Sequence, residues 1–161
     1  MKAQKPTIPK GAPEGTVWFG GPIEWFKITL RVSGANLIPD VITQILGCKP
    51  DQETEKGKPV YGEAGTTKRI ARHGGWHLIL NPGDTDEWDC SEAVMELLHR
   101  LPSDLDTWRL IASRYEVDIF IGLEMISANK GFSLSPQVMQ YLGERGIEIG
   151  FDIYYKPDNK S

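Results

Sequence analysis

Cysteine and histidine are scarce in this sequence, which has two cysteines and three histidines among its 161 residues. Cys48 and Cys90 form no CxxC motif and no cluster with histidine, so they indicate reduced thiols rather than a zinc site or a disulfide framework. The sequence also lacks a GxSxG elbow, a P-loop, a GxGxxG turn after a strand and an HExxH motif. It therefore predicts no catalytic residue, no metal and no cofactor.

Long apolar runs and an excess of positive charge are absent as well. No segment reaches the length of a membrane span, and residues 1–15 contain no apolar run that could form the core of a signal peptide. The net charge of -4 and the pI near 5.4 argue against a general affinity for nucleic acid or for anionic membranes. We therefore expect a cytoplasmic protein with no membrane partner, and we expect binding of nucleic acid only if a local basic patch provides it.

The composition that remains is typical of one soluble globular domain, with 40% hydrophobic and 25% charged residues. Residues 1–22 are rich in Pro, Gly and Lys and predict an extended N-terminal arm, which Trp18 and Phe19 would attach to the body. Residues 23–156 form the predicted domain, and residues 157–161 form a C-terminal tail.

Alternation of apolar and polar residues predicts three strands that each bury one face, at residues 24–32, 116–124 and 147–155. The last strand is expected to turn Ile149, Phe151 and Ile153 toward the core. Helices are predicted after Pro39, Asp89, Ser103 and Ser135 because each position can start or cap a helix that carries an apolar stripe. The strand and Pro-started helix occur near both ends of the chain, which suggests an internal duplication.

Residues 48–66 are polar and rich in glycine, and they predict a long loop. Gly74-Gly75 lies between two strand-like segments, 67–73 and 76–81, and predicts the turn of a hairpin. The resulting order, β-α-β-β-α-α-β-α-β, indicates an α+β fold of the ferredoxin-like or split βαβ kind. Its five-stranded sheet is expected to be mainly antiparallel, with helices on one face.

The predicted hairpin carries the densest positive charge in the chain. Its candidate binding residues are Lys68, Arg69, Arg72, His73, Trp76 and His77. One hypothesis is a surface that binds an anion or a partner, with Trp76 as an aromatic platform; the other is a solvated hairpin with Trp76 in the core. A turn at Gly74-Gly75 would put His73 and His77 on opposite faces, where they could not share a metal.

Acidic residues recur on the outer faces of the last two strands. This second candidate cluster contains Asp118, Glu124, Glu148 and Asp152. Such carboxylates could do acid-base chemistry or bind a divalent cation. They could instead form cross-strand ion pairs with Lys27 and Arg31 on the first strand.

Several of these features together resemble a bacterial family described only as domain of unknown function 4279. They are the central GGWHL sequence, the two middle helices and the sequence FSLSPQVMQYLGERGIEIGFDIYY. The family's marks fall on Pro39, Trp76, Pro136, Asp152, Ile153 and Tyr154, and the resemblance extends from Ile23 to Tyr155. It implies no activity, substrate or catalytic residue.

Three functions remain open from the sequence. The first is a non-catalytic module that binds an unknown protein partner, for example an immunity-type protein that masks a toxin. The second is an enzyme or a binder of small ligands or metals that uses the outer-face carboxylates. The third is binding of nucleic acid or another anion through the segment 68–77.

Overall fold

Alternating strands and short capped helices make up the computed structural model, which describes residues 13–14, 23, 25–61, 68–81, 89–125 and 130–155. The predicted arm, apart from Pro13 and Glu14, lies outside these residues, as do Trp18, Phe19 and the predicted tail. The elements are β1 (Trp25–Gly34), α1 (Pro39–Leu46), β2 (Gln52–Thr54), β3 (Pro59–Tyr61), β4 (Lys68–Ile70), β5 (Gly74–Leu80), α2 (Cys90–Leu98), α3 (Leu105–Ala112), β6 (Glu116–Met125), α4 (Pro136–Glu144) and β7 (Glu148–Tyr155). The α+β class is confirmed.

Five of the strands form one sheet in the order β2-β5-β1-β6-β7. The pairs β2–β5, β5–β1 and β1–β6 are antiparallel, whereas β6 and β7 run parallel. The sheet is therefore mixed, with three antiparallel pairs and one parallel pair that the mainly antiparallel prediction did not include. The parallel pair arises because α4 returns the chain to the end of the sheet where β6 began. The strands β3 and β4 pair with each other in a separate two-stranded ribbon.

The core lies between the helices and one face of this sheet. On β1 and β6 the predicted alternation is confirmed, since every second residue is buried. Buried residues of all four described helices join the same cluster; they include Ile42, Val94, Trp108 and Val138. We call the opposite side of the sheet, which carries the polar residues of β1 and β6, the outer face. None of the helices in the described residues is long and apolar enough to cross a membrane.

Local capping chemistry sets most helix boundaries. Asp89 and Ser135 accept hydrogen bonds from the backbone N–H groups that open α2 and α4, as predicted. The cap of α3 is Asp104 instead of Ser103: its carboxylate accepts from the backbone N–H of Thr107 at 2.9 Å. Gly47 ends α1 in the left-handed conformation, with φ of 64°.

The hairpin prediction around Gly74-Gly75 is wrong. Both glycines belong to β5, which pairs with β1 and β2 and not with the preceding segment. A Cβ at Gly74 would lie 2.0 Å from the carbonyl oxygen of Leu37, whose backbone crosses the inner face of β5. Glycine is required here for close approach of another chain segment, a use that local sequence cannot distinguish from a turn.

The predicted loop at 48–66 is partly regular. It contains β2, which forms an edge of the main sheet, and β3, which pairs with β4. Strands of three residues are too short to show alternation, and neither β2 nor β3 contributes a residue to the core. Their strand structure is defined only by their pairing with β5 and β4.

The structure does not confirm an internal duplication. Both α1 and α4 begin with proline, at Pro39 and Pro136. The chain after α1 reaches β2 at one edge of the sheet, whereas α4 leads directly to β7 beside β6. The local sequence similarity therefore reflects the shared proline start of α1 and α4. The strands that follow these two helices occupy different positions in the sheet.

Strand β7 is only half covered. Ile149 packs against the core, but Phe151, Ile153 and Tyr155 are 41%, 57% and 57% exposed. Their register partners on β6 include Ile121 and Leu123, both fully buried, so these side chains do point to the helix side. The prediction that Phe151 and Ile153 are buried is wrong because the helices do not extend over this corner of the sheet.

Candidate functional site: a basic cleft beside the sheet edge

A cleft of about 690 Å³ lies between the outer face of the sheet and the β3–β4 ribbon. Thr54 of β2 and Gly75 of β5 contribute to its lining from the sheet, and Arg69 contributes from β4. Backbone hydrogen bonds from Ala71 to Lys58 and from Gly57 to Ala71 extend the ribbon to this point. We call this space the basic cleft.

Four of the predicted binding residues line the basic cleft. They are Arg69, Arg72, His73 and His77. Arg69, Arg72 and His73 are exposed, and neither arginine forms an ion pair with any described residue. Lys68 begins β4, but its side chain lies outside the described residues. Unpaired guanidinium groups at a concave surface can donate paired hydrogen bonds to a carboxylate or phosphate.

Trp76 is not part of this surface. It is fully buried on the helix side of β5, where its indole Nε1 donates to Thr43 Oγ1 at 3.0 Å. The hypothesis that places Trp76 in the core is therefore correct. Because side chains alternate along a strand, burial of Trp76 turns Gly75 and His77 toward the outer face and hence into the cleft.

A second cleft, of about 520 Å³, adjoins the basic cleft and shares Ser33 and His73 with it. Arg114 lines this second cleft and forms no ion pair with a described residue. Glu116 also lines the second cleft and is the acidic residue of its lining. The two clefts form an elongated groove that follows the end of the sheet.

Sequence reasoning missed Thr54, Ser33 and Arg114 as groove residues. They lie in three different segments, and only the pairing of β5 with both β1 and β2 brings Thr54 and Ser33 to either side of Gly75. No local signal marks them. The positive charge of segment 68–77 was the one sequence feature that located the groove.

A row of polar residues crosses the outer face and ends in the basic cleft. Neighbours in register are Gln52, His77, Arg31, Asp118 and Glu148, one from each strand. Arg31 Nε donates to Asp118 Oδ1 at 2.7 Å, and a second bond joins Arg31 Nη2 to Asp118 Oδ2. The charge of Arg31 is thus held close to His77.

This row affects the protonation of His77. Burial lowers the pKa of His77, the charge of Arg31 lowers it further, and Asp118 opposes both effects. A histidine whose pKa is lower in the folded chain than in the unfolded chain takes up its proton preferentially on unfolding. Its contribution to stability is therefore fully present above the unfolded pKa, about 6.5, and is lost as the pH falls toward the folded pKa.

We expect the free energy of unfolding to decrease as the pH is lowered from about 7 to 5, and part of this decrease to disappear in His77→Gln. Urea unfolding of both proteins at several pH values measures the difference. Parallel pH profiles for the two proteins would show that His77 titrates alike in the folded and unfolded chains.

The four outer-face carboxylates do not converge on one point. Asp118 pairs with Arg31, as the cross-strand hypothesis expected, and its register neighbour is Glu148. Asp152 lies four residues further along β7 and accepts a hydrogen bond from Tyr154 Oη at 2.5 Å. Glu124 lies opposite Tyr154, near Asp152. Within the described ranges, no group of three or more His, Cys, Asp or Glu side chains could hold a metal ion.

Neither cysteine lines the two clefts. Cys90 is buried at the first position of α2, and burial, aided by the charge of Asp89, raises the pKa of its thiol to about 12. At neutral pH it is therefore a thiol with little nucleophilic character. Cys48 is half-buried and free.

A comparison with protein families identifies the chain. The family model described as "Domain of unknown function (DUF4279)" matches residues 24–156, which is most of the sequence. The chain belongs to this family. No curated protein and no solved structure matches it.

The residues that carry the resemblance to DUF4279 mostly serve the fold. Pro39 and Pro136 start helices, and Trp76 fills the core. Asp152, Ile153 and Tyr154 lie in the exposed half of β7. The cationic residues of the basic cleft are not among these marks. The family assignment therefore identifies no ligand for the cleft.

Proposed function

We propose that this DUF4279 protein is a non-catalytic binding module that holds an acidic segment of a partner protein in the basic cleft. The observation that supports this most directly is the position of Arg69 and Arg72, which line one cleft without an acidic partner among the described residues. An immunity-type protein that covers an acidic surface of a toxin is one concrete form of this function.

The shape of the groove favours a polypeptide segment over a compact metabolite. Sites for small molecules enclose most of their ligand. Here the arginines and His73 are exposed, and the groove continues past Ser33 into the second cleft. An extended chain can follow such a groove and place successive carboxylates against Arg72 and Arg114.

The charge distribution argues for a protein partner rather than nucleic acid. The net charge is -4, and the outer face beyond Arg31 carries Asp118 and Glu148. A polyanion that ran along the sheet would meet these carboxylates. A short acidic segment confined to the groove would not. Because Arg31 and Tyr154 already engage Asp118 and Asp152, we propose no catalytic role for the carboxylates.

Binding of a fluorescent peptide rich in Asp and Glu, followed by fluorescence polarisation, tests this proposal. We expect Arg72→Glu to weaken binding about tenfold or more, because it removes a charge-assisted hydrogen-bond donor and adds a repulsive charge. Arg100→Glu makes the same change in net charge after α2, in the helical layer, and should bind like the wild type. The guanidinium of Arg100 forms an exposed ion pair with Glu96, and Arg100 does not line either cleft.

The dependence of peptide binding on ionic strength and the affinity for an oligonucleotide provide two further tests. Binding should weaken as ionic strength rises, since the contacts are exposed charges. The proposal fails if the folded wild-type protein binds no acidic peptide, or if Arg100→Glu weakens binding as much as Arg72→Glu. Equal affinity for a single-stranded oligonucleotide of the same charge would instead indicate a general polyanion site.

A further inference from the structure

The two edges of the five-stranded sheet are built differently. At one edge, β2 has three residues and carries Glu53, and short charged edge strands resist pairing with other chains. At the other edge, β7 has eight residues, Glu148–Tyr155, without a Lys or Pro, and its two acidic residues, Glu148 and Asp152, both lie on the outer face. No described strand pairs with its outer side. Among the described strands, one edge of the sheet is short and the other is long and unpaired.

The open edge also carries exposed apolar side chains. Phe151, Ile153 and Tyr155 extend along the helix side of β7, and the ring of Phe132 lies 5.3 Å from the ring of Phe151. Phe132 is itself 37% exposed. Aromatic and branched side chains beside unpaired backbone groups favour addition of another strand. We call these four residues together the β7 edge patch.

We propose that a second copy of this chain covers the β7 edge patch, with the two β7 strands paired antiparallel about a twofold axis through Ile153. Twofold dimers are the most common assemblies of identical chains. This pairing would join the two sheets into one sheet of ten strands, and the patches of both copies would meet on its helix side.

The charge pattern of β7 fits this register. Pairing about Ile153 puts Phe151 of each copy opposite Tyr155 of the other, and Ile153 opposite Ile153. On the outer face it puts Asp152 opposite Tyr154, whose hydroxyl already donates to Asp152 within one chain. A shift of the axis to Asp152 would instead place the two carboxylates opposite each other, which is unfavourable. In this register each Asp152 therefore faces a hydrogen-bond donor, and no two carboxylates lie opposite each other.

The arrangement also keeps the basic cleft free. The cleft lies at the β2 side of the sheet, and the order β2-β5-β1-β6-β7 puts β7 at the other end. A dimer joined through β7 would expose two basic clefts at its far ends. The dimer does not depend on what the cleft binds, so the two proposals can fail separately.

Sedimentation velocity of the full chain over a range of concentrations tests the dimer directly. We expect a monomer-dimer equilibrium in the wild type, with a dissociation constant that Ile153→Lys raises at least about 30-fold. Ile38→Lys is the matched control because Ile38 is also 57% exposed and lies beside α1, away from the β7 edge. It should dimerise like the wild type.

Cysteine crosslinking tests the register. In a Cys48→Ser background, Ile153→Cys is expected to form a disulfide-linked dimer on mild oxidation, because residues directly opposite in an antiparallel pair have Cα atoms about 4.5–5.5 Å apart. Tyr154→Cys should crosslink far more slowly, since its own counterpart lies diagonally at about 7–8 Å.

Three results would overturn the proposal. They are a wild type that stays monomeric at every concentration, a dimer that Ile153→Lys leaves intact, and equally fast crosslinking by Tyr154→Cys and Ile153→Cys. If the protein is monomeric, hydrogen exchange identifies the alternative. Slow exchange of the β7 amides that point away from β6 would mean that another part of this chain covers the edge, and fast exchange of the same amides would leave the edge for a different partner.

Discussion

Replacing Trp76 with alanine is expected to destabilise the protein by about 3–5 kcal/mol, the usual cost of removing a buried tryptophan. Trp76 is 0% exposed, and its indole N–H is bonded to Thr43. The substitution removes a large apolar volume from the inner face of β5 and leaves a cavity that the adjacent helices fill only in part. Urea unfolding followed by far-UV circular dichroism measures the loss.

Trp25→Ala provides the comparison for Trp76→Ala. Trp25 is 41% exposed at the start of β1, so its removal should cost much less. The pair also separates the two hypotheses for Trp76. An aromatic platform at the ligand site would lose binding with little change in stability, whereas a core residue loses stability first. Equal, small losses in both variants would contradict the position of Trp76 in the core.

Gly74→Ala is expected to cost about 3 kcal/mol or more, although it adds a single methyl group. The new Cβ would lie 2.0 Å from the carbonyl oxygen and 2.7 Å from the carbonyl carbon of Leu37. Both are backbone atoms, so no side-chain rotation can relieve the contact. Either β5 or the segment around Leu37 must move, although β5 is fixed by its pairing with β1 and β2.

Two glycines of the same sheet serve as controls for Gly74→Ala. Gly122→Ala on β6 meets nothing within 4 Å and should be neutral or slightly stabilising. Gly75→Ala meets only side-chain atoms, the nearest being Thr54 Oγ1 at 2.9 Å, and should cost less than Gly74→Ala because that hydroxyl can rotate away. A hairpin turn at Gly74-Gly75 would instead make both substitutions costly. Urea midpoints distinguish these outcomes.

The sequence predicted best where one residue type decides local structure. The caps of α2 and α4 and the alternating faces of β1 and β6 all follow from interactions within a few residues. The same local rules gave a wrong prediction at Gly74-Gly75. Glycine serves equally for turns and for close backbone contacts, and the contact with Leu37 comes from a distant part of the chain.

At the candidate site, too, the sequence predicted local features but not those that depend on distant parts of the chain. Charge density located the segment that contains Arg69, Arg72, His73 and His77. It could not show that Trp76 points away from the other four, or that Arg114 joins them. The direction of Trp76 depends on which face β5 presents to the core. The position of Arg114 depends on the pairing of β6 with β1, which puts Glu116 opposite Ser33.

By itself, the sequence determined the α+β class, most of the helix starts, and which residues of each long strand share a face. The tertiary structure decided what covers those faces. Ile149 and Ile153 belong to the same face of β7, yet one packs against the core and the other is exposed, because the helical layer ends between them. Alternation is a property of the strand alone, whereas burial depends on the other elements that pack against it.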